Sequence, residues 1–168
     1  MIAIRETVPA RDVAPPAATT TQLVVFTMAG ESYALPVAHV REVLRLQTIT
    51  PMPQAPGFVE GIISLRGRVI AVVDLRRRFE MPAAARTAAA RIIVVRARQT
   101  FVGLIVDGVN EVVTLSASAI QPVPETTTTV ASRRFLSGVA RLNTGLLVIL
   151  NTEELFSAEE TQQLAGAK

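Results

Sequence analysis

Moved along itself by 69 residues, the sequence falls onto its own pattern. Val25-Phe26 meets Val94-Val95, Leu35 meets Leu104, Val40 meets Val109, Glu42-Val43 meets Glu111-Val112, and Pro53 meets Pro122. Beyond that point the offset grows to 77, because PETTTTVA lengthens the second copy's loop. Gly61 then meets Gly138, Leu65 meets Leu142, VIAVV meets LLVIL, Asp74 meets Asn151 and Phe79 meets Phe156. Few folds satisfy such a pattern: one structural unit of about seventy residues must occur twice and fill the chain.

Within each copy the apolar residues come in short runs of Val, Ile, Leu and Phe, punctuated by Gly or polar turns, which is the signature of strands. QLVVFTM-AGE-SYALPV reads as a hairpin, and so does RIIVVRA-RQT-FVGLIVD. VIAVVDL and TGLLVILN add further apolar runs that are too short and too β-branched for independent helices. Five strands in so few residues predict a small barrel, since closure removes exposed edges. Short helical pieces are expected at AHVREVL, where Val40, Val43 and Leu44 share a helical face, at LRRRF, and at TEELFSAEETQQLA with Thr152 as the cap.

Residues 1–21, rich in Ala, Pro and Thr with Pro15 and Pro16 adjacent, are expected to form a flexible N-terminal tail. The folded domain is expected over 22–157 as two small β subdomains, with 158–168 as a helix end or tail. Apolar residues make up 49% of the chain, enough for a packed core. With no cysteine the chain has neither disulfides nor thiolate metal sites, and a reducing, cytoplasmic setting is expected. No apolar run approaches the roughly 20 residues of a spanning helix, so direct membrane insertion is not expected.

The net charge of +3 is modest, but nine arginines lie between Arg66 and Arg98 against Asp74 and Glu80. Their centre is SLRGRVIAVVDLRRRF. Its turn, Arg66-Gly67-Arg68, places arginines at a hairpin rim, with Gly67 supplying positive φ. Asp74 stands where a helix N-cap would accept a bond from an amide two or three residues on, and Asn151 repeats the device. Arg76-Arg77-Arg78 reads as a solvated helical face, because consecutive charges on a short helix cannot all point at one partner.

The motifs FVEGIISLRGRVIAVVDLRRRF, GLIVDGVNEV, LVVFTMAGESYALPVAHVREV and FLSGVARLNTGLLVILNTEELF, in this order and spacing, resemble those of the CheW-like coupling proteins of bacterial chemotaxis. The resemblance implies an all-β fold of two intertwined five-stranded SH3-like barrels with a few short helices. It implies a non-catalytic adaptor joining the cytoplasmic tips of chemoreceptors to the histidine kinase CheA, whose regulatory domain shares the fold. Recruitment to membrane-associated receptor arrays follows. Residue by residue it places Val40, Glu42, Gly61, Arg66 and Val109 among partner-binding positions. Two residues depart from the expected pattern. Ala71 stands where a Pro is expected and should relax its strand, and Ser64 stands where Asn is common.

Bland readings compete for each residue. Arg66 and Glu42 could be solvated charges, Val40 and Val109 plain core, and Gly61 a position demanded by backbone geometry. Enzymatic readings have little foothold: His39 is the only histidine, and no GxSxG, GxxxxGK[ST] or GxGxxG motif occurs. Asp74 and Asp107 both stand where turns or caps need them, and no cofactor is expected. Nucleic-acid binding by a small barrel needs stacking aromatics, whereas the chain has six Phe and Tyr33, mostly within apolar strand patterns, and no Trp. Adaptors of the same family serving twitching motility or gene regulation are the nearer alternative.

Overall fold

The computed structural model describes residues 19–124 and 134–165; the expected tail up to residue 18 and most of the PETTTTVA loop lie outside them. The first copy of the repeat supplies β1 (Thr20–Met28), β2 (Glu31–Pro36), β3 (Val40–Arg45), β4 (Val59–Leu65) and β5 (Arg68–Asp74). The second supplies β6 (Arg91–Ala97), β7 (Thr100–Val106), β8 (Gly108–Ser116), β9 (Leu136–Leu142) and β10 (Gly145–Leu150). Two α-helices complete the elements used below, α1 (Leu75–Arg78) and α2 (Ala158–Ala165). β1 begins at Thr20, just inside the expected tail.

Neither copy folds into a sheet of its own. One five-stranded sheet runs β8-β1-β2-β10-β9 and the other β3-β6-β7-β5-β4. Each sheet therefore combines the first hairpin of one copy with the last three strands of the other. Each hairpin joins the other copy on both sides, parallel where β2 meets β10 and β5 meets β7, antiparallel where β1 meets β8 and β3 meets β6; every pairing within a copy is antiparallel. Each sheet also curls far enough for chain beyond one outer strand to bridge the other. Thr50, past β3, exchanges two backbone bonds with Ile62 of β4, and Gln121, past β8, does the same with Val139 of β9.

That arrangement explains why the runs are continuously apolar rather than alternating. In β6, Ile92 and Val94 fill the interior of their own sheet, while Ile93, Val95 and Ala97 face a central core shared by both sheets. β1 divides in the same way: Leu23 and Val25 turn into their sheet's interior, Phe26 and Met28 into the central core. A strand buried on both faces needs apolar residues at every position. β5 does this too, running unbroken through Ala71, which is paired with Ile62 on one side and Val102 on the other.

Two local expectations are corrected. AHVREVL is not helical: a single 3-10 turn over Val37–His39 leads straight into β3. There Val40, Glu42 and Leu44 are half-buried while Arg41, Val43 and Arg45 are exposed, a period of two that only a strand makes. Nor is TEELFSAEETQQLA one helix capped by Thr152. Asn151 accepts from the amide of Glu153 and caps a 3-10 turn over Thr152–Glu154. Thr152 is buried, with its Oγ1 3.0 Å from Nδ1 of His39. The chain breaks before Ser157, which starts α2 with a capping box: the Glu160 amide donates to Ser157 Oγ at 3.0 Å, and the Ser157 amide donates to Glu160 Oε1 at 2.8 Å. Leu164 of α2 is buried in the central core, so this segment is part of the folded body.

Candidate functional site

The β4–β5 connection consists of Arg66 and Gly67, between the paired residues Leu65 and Arg68. Both turn residues have positive φ, 53° and 80°, as a type I′ turn demands. A Cβ on Gly67 would meet nothing, so glycine serves the backbone angle there. Arg66 accepts the same left-handed conformation with a side chain attached, at a cost of roughly 1 kcal/mol. In return its guanidinium is held away from the body of the sheet, 68% exposed, where it forms an ion pair with the mostly buried Glu42 of β3. Since β3 and β4 are the outer strands of their sheet, this pair spans the sheet's two margins.

Of the five expected partner-binding residues, the structure brings Glu42 and Arg66 together and distributes the others. Val40, on β3, and Val109, on β8, are half-buried and both pack against the central core from equivalent places in the two sheets. Gly61 lies in β4 where a Cβ would sit 2.2 Å from the backbone oxygen of Thr50, and Gly138 repeats this with Gln121 at 2.8 Å. Close approach of backbones requires glycine at both.

Arg76, Arg77 and Arg78 are not a solvated face. Asp74 does cap α1, accepting from the amide of Arg76 at 3.0 Å. Successive residues on so short a helix point about 100° apart, and each arginine reaches a different target. Arg76 grips Asp107 with both Nε and Nη2, at 3.1 and 2.7 Å, and donates to the carbonyl of Pro82. Asp107 in turn accepts from the amide of Ala29, in the β1–β2 turn of the other sheet. The bond from Arg76 and that amide hold the Asp107 carboxyl below its usual range, against the opposing effect of burial. Arg78, 9% exposed, donates to the carbonyl of Leu155 and forms a fork with Glu160, beside the rings of Phe58, Phe135 and Phe156. Burial raises the Glu160 carboxyl, but the Ser157 amide and Arg78 outweigh it and lower the pKa. Arg77 is the most exposed of the three and pairs with Glu60 and Asp74. The run is thus a clasp across the two sheets and the C-terminal helix.

A feature absent from the expected set lies beside Arg66. Arg41, Arg66 and Arg68 surround Phe101 at the mouth of a cavity of about 120 Å³. The guanidinium carbons of Arg41 and Arg68 lie 5.2 and 5.6 Å from the centre of the Phe101 ring. Only the fold brings these residues together, since they come from β3, the β4–β5 hairpin and β7. Among the described residues no group of three or more His, Cys, Asp or Glu side chains is placed to hold a metal ion. Among the same residues no helix is long and apolar enough to cross a membrane.

Comparison with known proteins places this architecture. Residues 22–160 match the family model described as the CheW-like domain. The chemotaxis protein CheW of Klebsiella aerogenes is 32% identical over 139 residues, covering 83% of each chain. That of Rhizobium meliloti is 34% identical over 144 residues, covering 84% of this chain and 90% of its own. The crystal structure of the scaffolding protein TtCheW from Thermoanaerobacter tengcongensis superimposes with a TM-score of 0.77 at 36% identity, covering 84% of this chain and 96% of that one.

Proposed function

The chain belongs to the CheW-like family of chemotaxis scaffold proteins, and we propose that in this role it is a non-catalytic adaptor coupling the cytoplasmic tips of chemoreceptors to the histidine kinase CheA. The observation that carries this reading is the match across residues 22–160, nearly the whole folded body, to a family whose solved member is described as a scaffolding protein. An adaptor needs rigid, correctly placed surfaces rather than a reaction centre, and the β4–β5 hairpin supplies one. Arg66 is presented on a two-residue turn and steadied by Glu42. In this reading Arg66 and Glu42 form a docking edge, Val40 and Val109 shape the surfaces beside the central core, and Gly61 acts through backbone geometry. The protein works in the cytoplasm, recruited to receptor arrays.

The test is reconstitution. With receptor-containing membranes and CheA, the protein should co-sediment with both and change the rate of kinase autophosphorylation in the presence of receptor. If it neither sediments with the membranes nor alters the kinase, the adaptor reading fails.

A further inference from the structure

The repeat provides an internal control for the cavity at Phe101. Its two copies place the same fold position at the same end of each sheet, so every residue there has a counterpart in the other sheet. Arg41 corresponds to Asn110 and Phe101 to Ser32 by the offset of 69, and Arg66 to Asn143 and Arg68 to Gly145 by the offset of 77. Arg96, directly opposite Phe101 in the β6–β7 ladder, corresponds to Thr27. At the counterpart end these residues are uncharged, and Thr27 Oγ1 simply donates to Asn110 Oδ1 at 3.0 Å. The fold therefore closes this end with an uncharged residue at each of these five positions, and the one arginine nearby, Arg141 of β9, has the neutral Ser64 as its counterpart. Four arginines and an aromatic ring at the other end answer to something besides folding.

Their charge is largely uncompensated within the chain. Among the described residues Arg66 alone of the four has a carboxylate partner, Glu42. Arg41 and Arg68 rest on the Phe101 ring, which orders a guanidinium without neutralising it. Below them the cavity is apolar, floored by Leu65 and Ile70. Its volume of about 120 Å³ is of the order of cavities that take a benzene-sized group. That admits one side chain. A side chain with an aliphatic stem and an anionic tip matches both the floor and the rim, since guanidinium forks bind carboxylates with two parallel bonds.

We propose that this end of the β3-β6-β7-β5-β4 sheet is a socket for an acidic segment of a partner protein, which inserts a carboxylate side chain between Arg41, Arg66 and Arg68. This rests on the adaptor reading and deepens it, giving the Arg66 docking edge a defined chemical counterpart.

The probe is a short blocked peptide of alternating Glu and Ala, titrated into the isotope-labelled full chain. Backbone amide shifts should be confined to Arg41, Arg66, Arg68, Phe101 and their neighbours, and absent at Asn110 and Asn143. Affinity should fall as salt rises. Arg41→Gln combined with Arg68→Gln keeps the stems that cover Phe101 and should weaken binding about tenfold, the loss expected for one charged hydrogen bond. If the double variant melts well below the native chain, the single Arg68→Gln carries the test in the same direction, at an exposed position.

Native-like binding by the variant, or shifts at the Asn110 end as well, overturns the socket. So does displacement of the peptide by inorganic phosphate or an oligouridine at comparable concentration, since the site would then read anions without a side chain. Co-sedimentation with CheA and receptor membranes separates the two readings. A native chain that binds the peptide but never assembles defeats the adaptor and leaves the socket. A variant that assembles and binds the peptide normally does the reverse.

Discussion

Replacing Gly61 by alanine tests whether this residue is a contact or a consequence of the backbone. The added Cβ would lie 2.2 Å from the carbonyl oxygen of Thr50 and 2.8 Å from Cγ2 of Ile49. Backbone is the obstacle, so no rotamer change relieves it. Thr50 has to withdraw by more than an ångström, and that breaks the reciprocal bonds of 2.9 and 2.8 Å that tie it to Ile62. Two net hydrogen bonds at roughly 1 kcal/mol each, with an overpacking cost of roughly 1 to 3 kcal/mol, give a destabilisation of about 3 kcal/mol or more. For a chain of this size that lowers Tm by about 6 to 12 °C. Gly138→Ala meets Gln121 at 2.8 Å and should cost less. Gly67→Ala clashes with nothing but forces alanine to a φ of 80°, at about 1 kcal/mol. Thermal melts of the three variants should rank them in that order, with Gly61→Ala worst. If Gly61→Ala melts within about 2 °C of the native chain, the close-approach reasoning is wrong. A folded Gly61→Ala that no longer assembles with its partners would make the residue a contact instead.

Arg66→Glu sets a second carboxylate beside Glu42; because the position is exposed, stability should fall by only about 1 kcal/mol, whereas assembly with CheA and receptor membranes should weaken by roughly 2 kcal/mol. Adding Glu42→Arg should restore the melting temperature and leave assembly impaired; recovery of both would reduce Arg66 to a structural ion pair. Arg78→Met strands Glu160 and the Leu155 carbonyl, and urea titration should register a loss of about 3 kcal/mol. Arg78→Lys should not rescue it, because an ammonium cannot reproduce the fork. Asp107 and Glu160 carry lowered pKa values in the folded chain. Their stabilisation is full above the ordinary carboxylate range and lost as pH falls through the depressed values, since the unfolded chain takes up its protons first. The acid limb of a Tm-against-pH curve should therefore be shallower in Asp107→Asn; an unchanged limb would refute the Arg76–Asp107 contribution.

The adaptor reading was legible in ordered motifs, whereas the clasp was not. Arg76, Arg77 and Arg78 look alike in sequence, and their apolar neighbours, Leu75 and Phe79, give no hint that Arg78 is enclosed by three phenylalanines from distant segments. The same limit hid the socket, whose three arginines and Phe101 come from three separate elements. A signal did exist: the first copy places Arg66 and Arg68 where the second has Asn143 and Gly145. Comparison of the copies for their differences would have flagged it.

What the sequence determined by itself is whatever depends on neighbours along the chain. The strands followed from short β-branched runs, the hairpin turns from Gly30 and Gly67, and the α1 cap from Asp74, because backbone angles and local hydrogen bonds are set within a few residues. The doubling of the unit was equally plain, since it needs only self-comparison. Where a local pattern had two solutions, as in AHVREVL, pairing with β6 chose the strand: burying Val40, Glu42 and Leu44 on one face outweighed a single helical turn with no cap. Only the tertiary structure decided which strands belong together. The exchange of hairpins between copies leaves every local preference satisfied and changes only the partners on the two sides of each hairpin, a choice made by burial in the central core, which neither copy could build alone.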